Sequence, residues 1–158
     1  NILSENSLYI IFELLAGGQL YDKVKAKYKF KPQQTKAIMH GILKGLREMH
    51  SKGIMHRDLN LKIYCLENKI NGIVLLLILD LLSFVIFSPI CLFIGTPGYV
   101  APEVINIKDM KTKYSSICDI YSLGLIFHIL LFGKSAFPGT TYNEVLSQNR
   151  AANVDLSG

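Results

Sequence analysis

Low-complexity sequence is absent from this chain of 158 residues, proline is sparse at 5 residues, and half of the residues are apolar. Together these features exclude a disordered tail protein, because so much apolar side chain can be buried against the entropy of ordering. No repeat with a period of roughly 20–50 residues occurs, which removes solenoids and propellers. The length suits one domain with a real core. Cysteine is scarce: Cys65, Cys91 and Cys118 are odd in number and show no C-x-x-C spacing. That fits free, reduced thiols and a cytoplasmic setting better than a disulfide framework or a zinc site. Asn1–Asn6 carry neither a basic stretch nor an apolar one, so no secretory signal is expected.

Charge of either sign is modest, with a net value of +5. Lys and Arg are spread along the chain, with a local excess from Lys23 to Lys36 and no basic run interleaved with aromatics. A solvated helical face is the better reading, and no nucleic-acid partner is expected. One segment departs from this even texture. Ile73 to Ile94 is 22 residues with a single charge, Asp80, long enough to span a membrane of roughly 20 residues' thickness. A buried strand and loop is the competing reading, and the motifs on either side favour it over membrane insertion.

Periodicity supplies the elements. Leu8 to Glu13 is a short apolar, aromatic run ending at Ala16-Gly17-Gly18, which predicts a buried strand leaving into a turn. Gln19 to Lys27 follows as a short helix. A longer helix is predicted from Pro32 to Ser51, where Ile38, Met39, Ile42, Leu43, Leu46 and Met49 recur on one face and Gly53 supplies a left-handed stop. Lys69-Ile70-Asn71-Gly72 reads as a hairpin turn. Asp119 to Phe132 is apolar on nearly every face, which predicts a helix at the centre of a helical domain, stopped by Gly133. Thr141, with Glu144 three residues on, is expected to cap a last helix through Asn149. One strand, one hairpin and four helices make a mainly helical unit.

Two segments carry the chemistry: His56-Arg57-Asp58-Leu59, and Gly95-Thr96-Pro97-Gly98-Tyr99-Val100-Ala101-Pro102-Glu103. The first resembles the catalytic loop of eukaryotic protein kinases and the second the end of their activation segment. Phe12-Glu13-Leu14-Leu15-Ala16-Gly17-Gly18-Gln19-Leu20 is similar to the hinge, and Asp119-Ile120-Tyr121-Ser122-Leu123-Gly124 to the start of the central helix. In this order, from Leu8 to about Arg150, they resemble the carboxy-terminal lobe of a Ser/Thr kinase of the calcium/calmodulin-regulated group. The implied fold class is mainly α, of an α+β family: a helical lobe with a hinge strand and a small hairpin. Residues 1–158 are then expected to be a partial kinase domain, without the amino-terminal lobe and the last helices.

The resemblance implies ATP and Mg²⁺ as cofactors and a protein or peptide partner. Asp58 would accept the proton of the substrate hydroxyl, and Thr96 would hydrogen-bond that Asp. Backbone groups of Glu13 and Leu15 would pair with adenine, with Phe12 behind it and Gln19 on the ribose side. Asp80 would chelate the metal. Arg57 would hold a phosphorylated or acidic activation loop, His56 would be a packed core histidine, and Asp119 would receive amides of the catalytic loop. Glu103 is expected to be buried without its Arg partner, a costly state.

The departures sit at the chemistry. Asn60 stands where the family has the Lys that neutralises the transferring phosphoryl group. Ile63 stands where it has the Asn that holds a second Mg²⁺, and an aliphatic chain offers a hard cation no lone pair. Asp80-Leu81-Leu82 replaces Asp-Phe-Gly. Gln19 and Lys62 replace two acidic positions that read a basic residue in the substrate, so a basic peptide would meet repulsion. No G-x-G-x-x-G phosphate loop occurs. Three readings follow: a kinase-family chain without phosphotransferase activity, a pseudokinase-type binding module, and residual activity completed by an upstream lobe.

Overall fold

The computed structural model describes residues 2–4, 7–9, 17–66, 76–77, 95–108, 115–152 and 154. Their elements run in the order β1 (Ile2–Ser4), β2 (Ser7–Tyr9), α1 (Leu20–Lys25), α2 (Pro32–Ser51), a 3₁₀ turn (Leu61–Ile63), β3 (Tyr64–Cys65), β4 (Leu76–Leu77), α3 (Pro102–Ile105), α4 (Ile117–Phe132) and α5 (Tyr142–Ala151). The described part is mainly helical. β1 pairs antiparallel with β2, matching Leu3 to Leu8, and β3 pairs antiparallel with β4, matching Tyr64 to Leu77. The expected strand from Leu8 is described only as far as Tyr9, and residues 10–16 lie outside the described residues. So does the turn expected at Lys69–Gly72.

The sequence sets the bounds of α2 at both ends. Pro32 lacks the N–H that a first helical residue leaves unpaired anyway, and the Gln34 side chain accepts the Lys31 N–H at 2.9 Å. Gly53, just past the other end, takes φ +72°, a conformation that costs glycine nothing. Between them, Ile38, Ile42 and Leu46 are buried, each worth about 1.5–3 kcal/mol. They meet Leu123, Ile126 and Leu130 of α4 in the main apolar cluster. Leu43 was expected on that stripe but is 47% exposed. It lies one position past Ile42, a turn of about 100° that carries it off the buried face.

Helix α4 corrects a second expectation. Its apolar residues do surround the axis, yet among the described residues Ile117, Ile120, Phe127 and Leu131 are exposed along one side. The opposite side, with Leu123, Ile126, Ile129 and Leu130, packs into the main cluster. Gly133 ends the helix at φ +70° with its N–H on the Ile129 carbonyl. Thr141 caps α5: its Oγ1 accepts the Glu144 N–H at 3.3 Å, while the Glu144 carboxylate accepts the N–H of Thr140 and Thr141.

The segment between α2 and β3 lies on top of this core. Leu59, Leu61, Ile63 and Tyr64 point into the main cluster, which leaves Lys62 exposed between them while Asn60 stays buried. The chain before α1 is tied to β3 by the Leu66 N–H on the Gly18 carbonyl and by a bridge between Gln19 and Cys65. A Cβ on Gly17 would run into the Leu66 carbonyl, so only glycine allows that approach. Among the described residues, no helix is long and apolar enough to cross a membrane. Apart from Leu76 and Leu77, the apolar run 73–94 lies outside them.

Candidate functional site

Asp119, in the first turn of α4, is only 1% exposed, and its carboxylate organises the loop above it. Oδ2 accepts the His56 N–H at 2.9 Å and His50 Nε2 at 2.8 Å, and Oδ1 accepts the Arg57 N–H at 2.9 Å. This matters because Arg57 sits at φ +72°, a left-handed conformation that costs a non-glycine residue about 1–3 kcal/mol. Two charge-assisted bonds to the amides of His56 and Arg57 offset that strain. The imidazole of His56 is fully buried, and its Nδ1 accepts the Asp58 N–H at 3.3 Å.

The bend delivers Asp58 into an open cleft of about 450 Å³. Its Oδ1 accepts two bonds from Thr96, one from the N–H at 2.9 Å and one from the hydroxyl at 2.7 Å. Asn60 closes the arrangement: its Nδ2 donates to the Asp58 carbonyl at 3.2 Å and to Thr96 Oγ1 at 3.3 Å, and its Oδ1 accepts the Lys62 N–H at 2.9 Å. At 7% exposed, Asn60 is committed to bracing the loop. Asp58, Asn60 and Thr96, separated by up to 38 positions, are thus brought together. Ile63 is buried at 7% exposed in the main cluster, where it supplies no donor to a cation.

Not all of the expected positions fall among the described residues. Glu13, Leu15, Phe12 and Asp80, with Leu81 and Leu82, lie outside the described residues. Gln19 is half-buried and precedes α1. Glu103 is exposed, contrary to the expectation of burial. It occupies the first turn of α3, whose inward face is taken by Val104 and Ile105, so its carboxylate stays in water and the desolvation penalty does not arise. It is close enough to Cys118 and Tyr121 to oppose their ionisation.

Sequence reasoning missed four contributors. Tyr21 and Tyr99 form part of the cleft wall, and burial pushes the Tyr99 hydroxyl up to about 12, against a hydrogen bond from the Leu61 backbone. Asn149 of α5 is fully buried; its Oδ1 accepts the Gly98 N–H at 3.0 Å and its Nδ2 donates to the Val100 carbonyl at 2.8 Å. Ser122 of α4 donates to the Tyr99 carbonyl between them at 2.7 Å. Two buried side chains therefore fix three consecutive residues beyond Thr96. A signal was present for Asn149, a polar residue three and four positions beyond the apolar pair Val145 and Leu146 on an amphipathic helix.

Comparison with known proteins bears on this arrangement. The family model described as "Protein kinase domain" matches residues 2–156. "Probable serine/threonine-protein kinase 2" of Plasmodium falciparum is 33% identical over 97% of this chain and 29% of its own length. "Myosin light chain kinase A" of Dictyostelium discoideum is 33% identical over 94% of this chain and 50% of its own length. "Calcium/calmodulin-dependent protein kinase type II" of Caenorhabditis elegans is 31% identical over 98% of this chain and 21% of its own length. The chain thus spans half or less of these relatives. With the match covering nearly all of its sequence, this chain belongs to the protein kinase domain family.

Proposed function

We propose that this chain is a Ser/Thr-type protein-kinase-family unit that keeps the acceptor side of the active cleft but does not carry out efficient phosphoryl transfer. The observation that carries this reading is Ile63, an aliphatic side chain packed into the core where the family places a metal-holding Asn. Asn60 supports it, since an amide occupied by Asp58 and Thr96 brings no positive charge to a phosphoryl group. Phosphoryl transfer depends almost wholly on positioning and electrostatic stabilisation. Losing two such groups, at roughly 10²–10³ each, lowers the rate by about 10⁴–10⁶. The residues around Asp58 therefore do not fit Mg²⁺–ATP in the family's manner.

A second reading, a binding module, is favoured by the closed ring of bonds among Asp58, Thr96 and Asn60. That ring holds the Asp58 carboxylate at the cleft, ready for a peptide hydroxyl whether or not transfer follows. The test is transfer of labelled phosphate from Mg²⁺–ATP to Ser- and Thr-containing peptides, with the whole chain and its Asp58→Asn variant side by side. The expected result is equal, background incorporation. Mg²⁺-dependent transfer that Asp58→Asn abolishes would overturn the proposal.

A further inference from the structure

The cleft that holds Asp58 carries a cation on its wall. Lys62 is exposed, and its ammonium lies 5.3 Å from the centroid of the Tyr21 ring, within range of a cation–π contact. Tyr21 is itself placed by α1, whose neighbouring Leu20 is fully buried in the main cluster. Tyr21 and Lys62 line the same cleft as Asp58 and Thr96. Asp58 is the one carboxylate among the described lining residues, and its Oδ1 is already taken by Thr96. A ligand entering the cleft therefore meets a held positive charge on one wall and a hydroxyl acceptor on the other. Lys25 lies four residues beyond Tyr21 on α1. Asp22, the acid of that helix, is one position round from Tyr21.

We propose that Lys62 and Tyr21 form a seat for an acidic side chain, so that the cleft selects acidic peptides bearing a Ser or Thr hydroxyl. The proposal rests on reading the cleft as an acceptor-peptide site and adds the chemistry of its ligand. The Lys62 ammonium lies over the Tyr21 ring, so less side-chain freedom is lost when a carboxylate arrives. A basic peptide meets like charge at the same point, which turns a missing attraction into rejection.

The test is fluorescence anisotropy with the whole chain in the absence of nucleotide. Three labelled peptides share a central Ser and differ in flanking Glu, Ala or Lys. The Glu peptide is expected to bind roughly 1.5- to fivefold tighter than the Ala peptide, the range of one exposed charge pair, with the advantage shrinking as salt rises. Lys62→Ala should abolish the difference, Lys62→Glu should reverse the ranking, and Lys62→Arg should keep it. Lys62 is exposed, so these variants leave the core intact. Equal binding of all three peptides, no binding of the Glu peptide, or a Glu preference that survives Lys62→Ala would each overturn the proposal. So would a Lys62→Ala variant that loses ATP affinity while its peptide ranking stands, because the cation would then serve nucleotide phosphates. No turnover enters this measurement. Phosphate transfer by the chain would sink the reading of catalytic silence alone, and a missing charge ranking would sink this inference alone.

Discussion

Asp119 shows how much one carboxylate can organise. It takes the His50 imidazole from α2 and two amides of the loop on which Asp58 sits. Replacing it with Ala leaves the His56 and Arg57 amides buried or half-buried without an acceptor, at about 1–3 kcal/mol each. The strain of Arg57 would then be uncompensated as well. Asp119→Ala is expected to destabilise the chain by about 3 kcal/mol or more, read as a lowered urea midpoint at constant m-value. Asp119→Asn keeps a single acceptor and should fall between Asp119→Ala and wild type. An Asp119→Ala midpoint within error of wild type would show that the loop is held elsewhere. The pairing of Thr96 with Asp58, and of Asp119 with amides of the loop, was legible in the sequence because motif order carries it. The inward turn of Asn60 was not, since a substitution tells which group is lost and not which bonds the newcomer makes.

At the scale of elements, α5 reaches across to the segment beyond Thr96 through Asn149. Both halves of its amide are used, one on the Gly98 N–H and one on the Val100 carbonyl. Gly98 takes φ +86° and a Cβ there would lie 3.3 Å from Val145 of the same helix, so glycine permits the close approach that the clamp requires. Asn149→Leu preserves approximate volume but orphans two buried backbone groups, and should cost about 2–3 kcal/mol. Amide exchange at Gly98 and Val100 should accelerate more than exchange in the middle of α2, because the loss is local. Uniform acceleration would point to a global loss of stability instead.

The helices themselves were read well where special residues punctuate them. Pro32 and Gly53 bracket α2, and Thr141 with Glu144 opens α5. Coverage was harder to read. Periodicity shows which faces are apolar, yet Leu43 and the Ile117–Leu131 side of α4 are apolar and exposed. The turn at Leu61–Ile63 and the four-residue α3 are too short to show any period, and Glu103 was misplaced with them.

Across the whole molecule, burial of neutral acids sets an alkaline limit. Burial pushes the Cys118 thiol from its ordinary 9.0 up to about 12 and the Tyr99 hydroxyl from 10.0 up to about 12. The hydroxyls of Tyr64 and Tyr121 are raised in the same direction, also mainly by burial. These groups stay protonated in the folded chain while the unfolded chain gives up its protons, first from cysteine near pH 9 and then from tyrosine near pH 10. Their contribution is therefore fully present below about pH 9 and is lost as pH rises towards 12. The acid side should be gentler. Glu144, lowered by the N–H and hydroxyl groups of Thr140, and Glu48, lowered by Lys52, are both at the surface and withdraw their contributions only below their ordinary 4.5. The urea midpoint should stay level from pH 7 to 9 and then fall steadily to pH 11. Near pH 8.5 the thiolate, the reactive form, should stay almost unpopulated at folded Cys118. Alkylation at pH 8.5, mapped by peptide, should accordingly modify half-buried Cys65 well before Cys118, with the two becoming equal in urea. A midpoint that holds level to pH 11, or Cys118 reacting in the folded chain as fast as in the unfolded one, would mean that the contact between α3 and α4 around Cys118 opens far more readily than its packing against Val100, Val104 and Ile105 requires.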